Sequence, residues 1–392
     1  MKKIVFSFLI LVLSFSFSFT SVRAASFSDV PSSHWAYKEV NYLTQNKIFN
    51  GVSKTTFGKD GLVTRGQAAA VLARAKGLKL EGRPNPNFKD VPTSHPFYKE
   101  IAAVVDAGWF QKAQSFHPDG KLTRAEMAKI ISNAFKLSST VPVQWEDLSS
   151  GYWGQPFVAR LVASGITNGY SSTEYKPGMN MTRAQFAVFI ARALNESFRP
   201  QMVVYPKKVD STIFYPQVKA RVESVDLSKL NQTLYEYALE GKKAKQELQE
   251  MAKEDPYLGP YYTYESSFKI GKADNKHISL VIFEYIYSGG AHGYESYSSF
   301  NYGVQTKSWL RMNDVATKSG YSSIIINYIN NEAQKRLHSG KLTAWDGLYS
   351  LEEHMDQFYL TDKGLVMFFN PYEYGPYADS IREFLVPYSV IQ

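Results

Sequence analysis

Three arginines recur at an even spacing and have the chemistry to bind an anion. Arg65, Arg124 and Arg183 lie 59 residues apart, and each follows a threonine. We expect each to open a helix, where the helix dipole disfavours a cation by roughly several tenths of a kcal/mol, so the repeated placement indicates a use. A guanidinium beside the free N–H groups of a helix start predicts a carboxylate site. The alternative is an arginine that pairs with a nearby aspartate and joins the repeats.

The threonines before these arginines have a purely structural explanation. Each occupies the N-cap position of the predicted helix, and a glutamine or glutamate follows three residues later. This is the capping box, in which two side chains satisfy backbone N–H groups at the start of a helix. The pairs are Thr64 with Gln67, Thr123 with Glu126, and Thr182 with Gln185.

The arginines belong to a repeat with a period near 60 residues. Each unit is predicted to form two helices joined by a loop, because apolar residues recur at helical spacing. A single pair of helices cannot bury its apolar face, so the three units should pack on one another. The first helices are predicted at residues 36–46, 98–107 and 155–164, and the second helices at 65–76, 124–136 and 183–195.

The repeated motif T-R-[AG]-[EQ] is the most specific of several shared strings. Around it lie F-x-D-V-P at residues 27–31 and 88–92, the triplet His34-Trp35-Ala36, and a turn at 166–170. On these residues the segment 27–195 resembles the S-layer homology (SLH) family. The resemblance implies an all-α, pseudo-threefold module that binds secondary cell-wall polysaccharide in grooves between repeats. The family typically binds a pyruvylated sugar, whose carboxylate meets the motif arginine.

The resemblance also implies a set of polysaccharide-binding residues. Arg would hold the carboxylate, Trp would stack on a sugar face, Asp would bind hydroxyls and Gly would allow close backbone approach. The alternative for each Asp is a structural role, because an Asp before a helix is often only a cap. The second repeat has Pro96 where the others have Trp, and Lys112 near the usual Gly, so we expect it to contribute least. The residues are Asp29, Trp35, Gly51 and Arg65 in the first repeat, Asp90 and Arg124 in the second, and Asp147, Trp153, Gly169 and Arg183 in the third.

The N-terminus indicates export. Residues 1–24 combine Lys2 and Lys3 with an apolar run at 4–19 and small residues at a cleavage site, which is typical of a secretory signal peptide rather than an uncleaved anchor. No later segment has the length of a membrane span. We therefore expect a mature chain without a transmembrane segment, secreted to the cell wall and S-layer of a Gram-positive bacterium.

Composition narrows the possible functions. The chain has 392 residues, no cysteine and a formal charge of +8 without a concentrated basic tract. Disulfides, thiolate catalysis and Cys-based metal sites are therefore excluded, and nucleic-acid binding has no support. No metal-ligand spacing, nucleophile elbow or phosphate loop occurs, so we predict no catalytic residues, no metal and no cofactor. The alternative is a wall-anchored enzyme acting on cell-wall glycan, with carboxylates that meet only in the fold.

Residues 198–392 are predicted to form a separate α+β domain with an antiparallel sheet. Helices at 227–253 and 323–337 are set among runs of residues typical of strands. The chain then divides into a signal peptide (1–24), three repeats (25–85, 86–142 and 143–197) and this domain. Strands are predicted at residues 213–224, 261–270, 278–287, 295–302, 358–360, 365–369 and 385–388, with a linker or first edge strand near 198–206.

Two strings rich in glycine and tyrosine are candidate binding loops of this domain. The glycines of G-G-A-H-G at 289–293 should adopt positive φ, and the histidine is a general base or a turn residue satisfied by the backbone. The tyrosines of N-P-Y-E-Y-G-P-Y-A at 370–378 line a groove or pack under the last strand. The candidate binding residues are Gly290, His292, Tyr372, Glu373, Tyr374 and Tyr377.

These strings resemble the DUF4163 and DUF3298 families. The pair occurs in lysozyme-sensing anti-sigma factors of the RsiV type and beside peptidoglycan deacetylase domains. The resemblance covers roughly residues 205–390 and implies an extracellular module that binds peptidoglycan or a lysozyme-like protein and does not catalyse. We find neither the transmembrane helix nor the deacetylase domain that accompanies the pair in those proteins.

Overall fold

The computed structural model describes residues 27–221 and 225–392, so the predicted signal peptide at 1–24 lies outside it. The first half contains six α-helices, two in each repeat. Their bounds agree with the sequence prediction to within two residues, and all three predicted capping boxes are formed. The helices are α1 (Tyr37–Gln45), α2 (Arg65–Ala75), α3 (Tyr98–Asp106), α4 (Arg124–Ala134), α5 (Gln155–Ala163) and α6 (Arg183–Leu194).

The three repeats close on one another around a pseudo-threefold axis. At the axis the N–H of Val63 donates to the carbonyl of Met181 (3.0 Å), the N–H of Met181 to that of Leu122 (3.0 Å), and the N–H of Leu122 to that of Val63 (3.3 Å). Helix α2 packs against α3, α4 against α5, and α6 against α1. Each second helix therefore contacts the first helix of the following repeat, and the three units share a single apolar core.

The second half is built from strands with helices packed against them, as an α+β domain should be. The observed strands follow the predicted ones closely, and the segment near 198–206 is an edge strand rather than a linker. The elements are β1 (Met202–Lys208), β2 (Phe214–Ala220), α7 (Ser228–Ala252), β3 (Thr263–Ala273), β4 (His277–Tyr287), β5 (Tyr294–Gly303), β6 (Ser308–Trp309), α8 (Met312–Val315), α9 (Tyr321–His338), β7 (Phe358–Leu360), β8 (Gly364–Phe369), β9 (Arg382–Pro387) and α10 (Tyr388–Ile391).

The named strands pair only with antiparallel neighbours. Strands β1 and β2 form a hairpin, β3 to β6 form a four-stranded sheet in sequence order, and β7 to β9 form a three-stranded sheet. Helix α7 packs on β2 and β3, and helix α9 packs on β9. The predicted multidomain fold class, an all-α module followed by an α+β domain with antiparallel sheets, is confirmed.

The second half contacts the third repeat. The N–H of Gln144 donates to the carbonyl of Pro206 (3.1 Å), and the N–H of Phe268 on β3 donates to the Ser172 hydroxyl (3.2 Å). Val203 on β1 is buried in the core of the repeats. The β1–β2 hairpin and strand β3 therefore join the two halves.

Candidate functional site: three arginine corners and a pair of loops

Each motif arginine is the first residue of a second helix, but the neighbouring N–H groups are not free. The N–H of Arg65 donates to the carbonyl of Gly120 (2.9 Å) and that of Gly66 to Pro118 (2.8 Å), while the N–H of Gln67 donates to the Thr64 hydroxyl (3.2 Å). The expectation of free helix N–H groups for an anion is therefore wrong, because the following repeat supplies carbonyls to them. The same bonding recurs at Arg124 and Ala125, and at Arg183 and Ala184.

Each arginine side chain joins its own repeat to the next. Its Nε donates to the carbonyl of a buried aromatic residue in the loop of that repeat, and its guanidinium lies over the same ring. The Nε–O distances are 2.7 Å from Arg65 to Phe116, 2.8 Å from Arg124 to Tyr175 and 3.0 Å from Arg183 to Phe57. The arginines thus connect the repeats through carbonyls, rather than through the aspartates that the sequence suggested.

The motif aspartates hold these loops in place. Asp29 accepts hydrogen bonds from the N–H groups of Phe57 (2.8 Å), Gly58 (2.7 Å) and Lys59 (3.0 Å), so it does not cap helix α1. Burial alone would raise the pKa of Asp29, but these three donors bring the pKa below its ordinary value. Asp90 and Asp147 each accept two equivalent bonds, from Phe116 and His117 and from Tyr175 and Lys176.

Arg65 differs from the other two arginines in how its terminal nitrogens are used. Nη2 of Arg183 donates to the carbonyl of Asn50 (2.8 Å) and Nη2 of Arg124 to that of Asn168 (3.3 Å), and both residues are buried. The side chain of Arg65 is 22% exposed, and its Nη1 lies 3.6 Å from Glu126. Burial lowers the pKa of Arg65, although the negative charges of Glu126 and Asp90 act to raise it. Burial also lowers the pKa of Arg183, to about 10, so it still carries its charge at neutral pH.

A groove of about 300 Å³ opens at Arg65. The side chains of Trp109 and Trp153 line it, and Trp153 is 49% exposed. Lys129 adds a second cation, with Nζ 5.8 Å from the centre of the Trp153 ring. The groove combines residues of all three repeats: Arg65 from the first, Trp109, Phe110, Gln111, Glu126, Lys129 and Ile130 from the second, and Trp153 from the third.

The composition of this groove changes the role expected of the second repeat in ligand binding. The tryptophan at the Arg65 corner comes from the third repeat, so by the threefold correspondence Trp35 belongs to the Arg124 corner and Pro96 to the Arg183 corner. The missing tryptophan therefore affects the groove of Arg183, and the second repeat supplies most of the groove at Arg65. Trp35 is 62% exposed, so its ring is accessible for stacking on a sugar.

The two motif glycines are required by packing within the repeat. A Cβ at Gly51 would lie 2.5 Å from the Phe27 ring and 2.6 Å from the Thr56 carbonyl. A Cβ at Gly169 would lie 2.3 Å from the Ser171 carbonyl and 2.5 Å from Trp145 Nε1. Both positions need glycine whether or not a ligand approaches them.

We predict that Arg183→Ala destabilises the repeat module. The substitution leaves the carbonyls of Phe57 and Asn50 without their donor, and the unpaired buried carbonyl of Phe57 alone costs about 1–3 kcal/mol. Urea unfolding of the full chain measures the loss. Arg74→Ala is the control, because the Arg74 side chain is 41% exposed and its ion pair with Glu100 is long, at 3.9 Å. This substitution should change the free energy of unfolding by less than about 1 kcal/mol. Equal stability of the two variants would show that Arg183 does not hold the repeats together.

In the second half, the two predicted loops meet. The His292 ring stacks on Tyr377, with ring centres 3.8 Å apart and planes 15° apart, and its Nε2 lies 3.2 Å from the Tyr372 hydroxyl. Its Nδ1 lies 2.9 Å from the Gly293 carbonyl, as expected of a turn histidine. Gly289 and Gly290 have positive φ (97° and 93°), as predicted. Gly293 does not, and is needed instead because a Cβ would lie 2.5 Å from the Tyr285 ring.

Two candidate residues of the second loop point into the protein. Tyr374 packs in T-shaped contact with Phe369 and donates to or accepts from His354 Nε2 (2.6 Å). Glu373 accepts from the Asn370 N–H (2.8 Å) and from Gln357 Nε2 (3.0 Å). These two residues fix the shape of the loop, while Tyr372 is 60% exposed.

A residue that sequence analysis missed organises this loop. The Arg382 side chain is fully buried beside Asp379, whose side chain is 5% exposed, and Nη2 lies 3.2 Å from the Asp379 carboxylate. Nη2 also donates to the Pro376 carbonyl (2.6 Å) and Nη1 to the Glu373 carbonyl (3.3 Å). Burial would raise the pKa of Asp379, but its hydrogen bonds, with those from Thr343 foremost, hold it below its ordinary value. A lone arginine in a strand carries no sequence signal for this role.

Comparison with known families agrees with this architecture. The family model of the S-layer homology domain matches residues 26–69, 87–128 and 146–187. A model described as "Protein of unknown function (DUF3298)" matches residues 314–389, and one described as "Deacetylase PdaC" matches residues 206–295. The chain therefore carries three S-layer homology repeats followed by a DUF3298 domain, as the sequence resemblance predicted.

Curated relatives include cell-wall and S-layer proteins of bacteria. An uncharacterized cell wall amidase of Bacillus anthracis is 32% identical over 52% of this chain and 39% of its own length. An S-layer protein of Bacillus thuringiensis subsp. finitimus is 33% identical over 43% of this chain and 21% of its own length. The chain thus spans less than half the length of these relatives. An endoglucanase of a Bacillus strain is 29% identical over 44% of this chain and 19% of its own.

Among solved structures, a DUF3298 family protein from Pseudomonas aeruginosa is 15% identical, with a TM-score of 0.32, over 48% of this chain and 88% of that one. Within the described residues no helix combines the length and apolar character needed to cross a bilayer. The S-layer homology repeats and the S-layer relatives support attachment to the cell wall at the cell surface.

Proposed function

We propose that this protein attaches non-covalently to the bacterial cell wall by binding a carboxylate-bearing sugar of secondary cell-wall polysaccharide, such as a pyruvylated sugar, in the groove at Arg65. The observation that carries the proposal is the state of the Arg65 side chain. Its Nε is committed to the Phe116 carbonyl, while its terminal nitrogens remain at a groove between two tryptophans. A guanidinium in that position can hold a carboxylate through two hydrogen bonds.

The remaining lining residues supply what a sugar ring needs. Trp153 offers an exposed ring face for stacking, and Trp109 forms a second apolar wall. Lys129 places a second positive charge in the groove, which favours an anionic ligand over a neutral one. The Arg124 corner, with Trp35, differs because Arg124 is buried and its Nη2 donates to the Asn168 carbonyl.

Glu126 opposes anion binding at this corner, and this gives a sharp test. It lies 3.6 Å from Arg65, whereas the first and third repeats carry Gln at the corresponding position. Glu126→Gln removes the charge and keeps a side chain able to complete the capping box, as Gln67 and Gln185 do. We expect about three- to tenfold tighter binding of the full chain to purified walls, since one like charge at this range contributes about 1 kcal/mol near a surface.

Gln67→Glu is the matched control for that measurement. It introduces the same charge in the equivalent capping position of the first repeat, which by the threefold correspondence lies at the Arg183 corner rather than at the Arg65 groove. Sedimentation of the protein with walls measures both. If the groove at Arg65 is the wall-binding site, Glu126→Gln tightens binding and Gln67→Glu does not; unchanged binding in Glu126→Gln would place the ligand elsewhere.

We further propose that the second domain is displayed outside the cell, where it binds peptidoglycan or a lysozyme-like protein through the two loops that meet at His292 and Tyr372. The exposed aromatic surface at this meeting point supports a binding role.

Similarity to S-layer proteins favours a structural, non-enzymatic protein. Some relatives are named as enzymes, an amidase and glucanases among them, so wall-glycan hydrolysis is the competing hypothesis. Release of reducing sugars or amines from walls incubated with the protein would favour it.

A further inference from the structure

The two loops of the second domain build a small aromatic surface that no single stretch of sequence contains. His292 stacks on Tyr377, and Tyr372 lies against both, with its ring centre 5.7 Å from that of Tyr377 and 6.4 Å from that of His292. We call these three residues the aromatic platform. Tyr372 is 60% exposed, so one ring face is open to solvent. The structure thus holds three rings together at the surface, and Tyr372 is the exposed one of the two tyrosines.

The loop that carries two of these rings is strained. Tyr372 (φ 72°), Tyr374 (φ 59°) and Ser380 (φ 54°) all have left-handed backbone conformations, which cost free energy for residues with a side chain. The buried pair of Arg382 and Asp379 holds the loop in this shape. Strain that the surrounding structure maintains is typical of binding and catalytic sites. The platform is therefore pre-formed, and binding would not have to order it.

The edge of the platform is polar. Glu295 accepts a hydrogen bond from the Ser380 hydroxyl and borders Tyr377. Burial, and then the charge of Glu295, raise the pKa of Tyr377, which keeps its phenol protonated as a hydrogen-bond donor. Tyr294, 44% exposed, lies next to Glu295 in strand β5. An open ring face surrounded by a carboxylate, an imidazole and phenols has the chemistry to stack on a pyranose and to bind its hydroxyls.

We propose that the aromatic platform binds a pyranose ring of cell-wall glycan, with the sugar stacked on Tyr372 and its hydroxyls bonded to Glu295 and the Tyr377 phenol. The inference rests on the proposed display of the second domain at the wall and names its ligand. Three rings with one open face match a single sugar in size. A stable protein interface needs about 800 Å² from each partner, which is far more than this surface. Peptidoglycan strands and secondary polysaccharide both offer pyranose rings, and the experiment separates them.

The test uses the full chain carrying Arg65→Ala, so that the anchor groove does not contribute. Calorimetric titration with soluble peptidoglycan fragments, and separately with wall polysaccharide fragments, identifies the source of the glycan. Tyr372→Gly then removes the stacking face and relieves the left-handed backbone at the same time. We expect at least about tenfold weaker binding of whichever glycan binds, with a melting temperature unchanged within about 3 °C.

Tyr349→Ala is the matched control, because Tyr349 is 83% exposed and belongs to neither loop of the platform. It should leave glycan binding unchanged. Three outcomes would overturn the proposal. The first is equal glycan binding with and without Tyr372→Gly, and the second is no binding of either glycan by the Arg65→Ala chain. The third is saturable binding of lysozyme by that chain without glycan binding. Wall attachment through Arg65 is tested separately, as the difference between the Arg65→Ala chain and the native chain on whole walls, with the same platform present in both.

Discussion

Arg65→Ala is expected to release the protein from purified cell walls while the fold remains. The side chain is the most accessible of the three motif arginines, and its terminal nitrogens are the groups we assign to the ligand carboxylate. Removing one partner of a charge-assisted, partly desolvated pair costs about 2–5 kcal/mol, so wall affinity should fall by about 30- to 4000-fold. Sedimentation with walls across a range of protein concentrations measures the change.

Two further variants separate binding from folding in that experiment. Arg65→Lys keeps a positive charge but loses the two-pronged geometry and the Nε bond to Phe116, so it should recover only part of the affinity. Arg83→Ala removes a cation that pairs with Asp106, away from the groove, and should bind like the parent. The assignment of Arg65 fails if Arg65→Ala, shown to be folded at the assay temperature, still binds walls at parental strength.

Arg382→Ala is expected to cause the largest loss of stability in the second domain. Its side chain is fully buried, and the substitution would leave the Asp379 carboxylate without its charge partner and the Pro376 carbonyl without its donor. Breaking a buried ion pair by removing one partner costs about 3–5 kcal/mol. For a domain of this size that lowers the melting temperature by about 6–20 °C, which calorimetry of the full chain would resolve.

Lys335→Ala provides the comparison for Arg382→Ala. Lys335 lies on helix α9 with its side chain 76% exposed and Nζ 3.7 Å from Glu332, so its removal should change stability by no more than about 0.5 kcal/mol. A melting temperature for Arg382→Ala within 2–3 °C of the Lys335→Ala value would mean that the buried pair does not hold the loop, since the expected shift is at least about 6 °C.

Local features of this chain could be predicted from sequence because short-range physics determines them. The six helices of the repeats follow from apolar spacing, and the three capping boxes follow from Thr and Gln or Glu at fixed offsets. The strands of the second domain follow from runs of β-branched and aromatic residues, as at β4 and β5. In each case the residues that define the element are neighbours in the chain.

The site could be predicted only in part, because its contacts join distant residues. The carbonyl that receives Arg183 Nε belongs to Phe57, 126 residues earlier, and only closure of the three repeats brings them together. The same closure places Trp153 of the third repeat beside Arg65 of the first. Sequence comparison of one repeat with another therefore predicted the smallest contribution from the second repeat and could not place Pro96 at the Arg183 corner. It also gave no reason to single out Trp109.

In the second domain, too, contacts between distant residues could not be predicted from the sequence. The two loop strings were recognisable from their glycines and tyrosines, but the stacking of His292 on Tyr377 depends on the pairing of β4 with β5 and of β8 with β9. Which tyrosines face solvent could not be told from composition. Tyr374 turns inward to His354, while Tyr372, two residues earlier, is exposed.

The most direct test of the account compares wall polysaccharide fragments with and without their carboxylates. Calorimetric titration of the full chain would use the native fragment and the same fragment after its carboxylates are converted to methyl amides. If Arg65 binds a carboxylate, the native fragment binds and the amide binds at least about 30-fold more weakly, with no difference left between them in the Arg65→Ala chain. Equal affinity for the two fragments would contradict a carboxylate-binding groove.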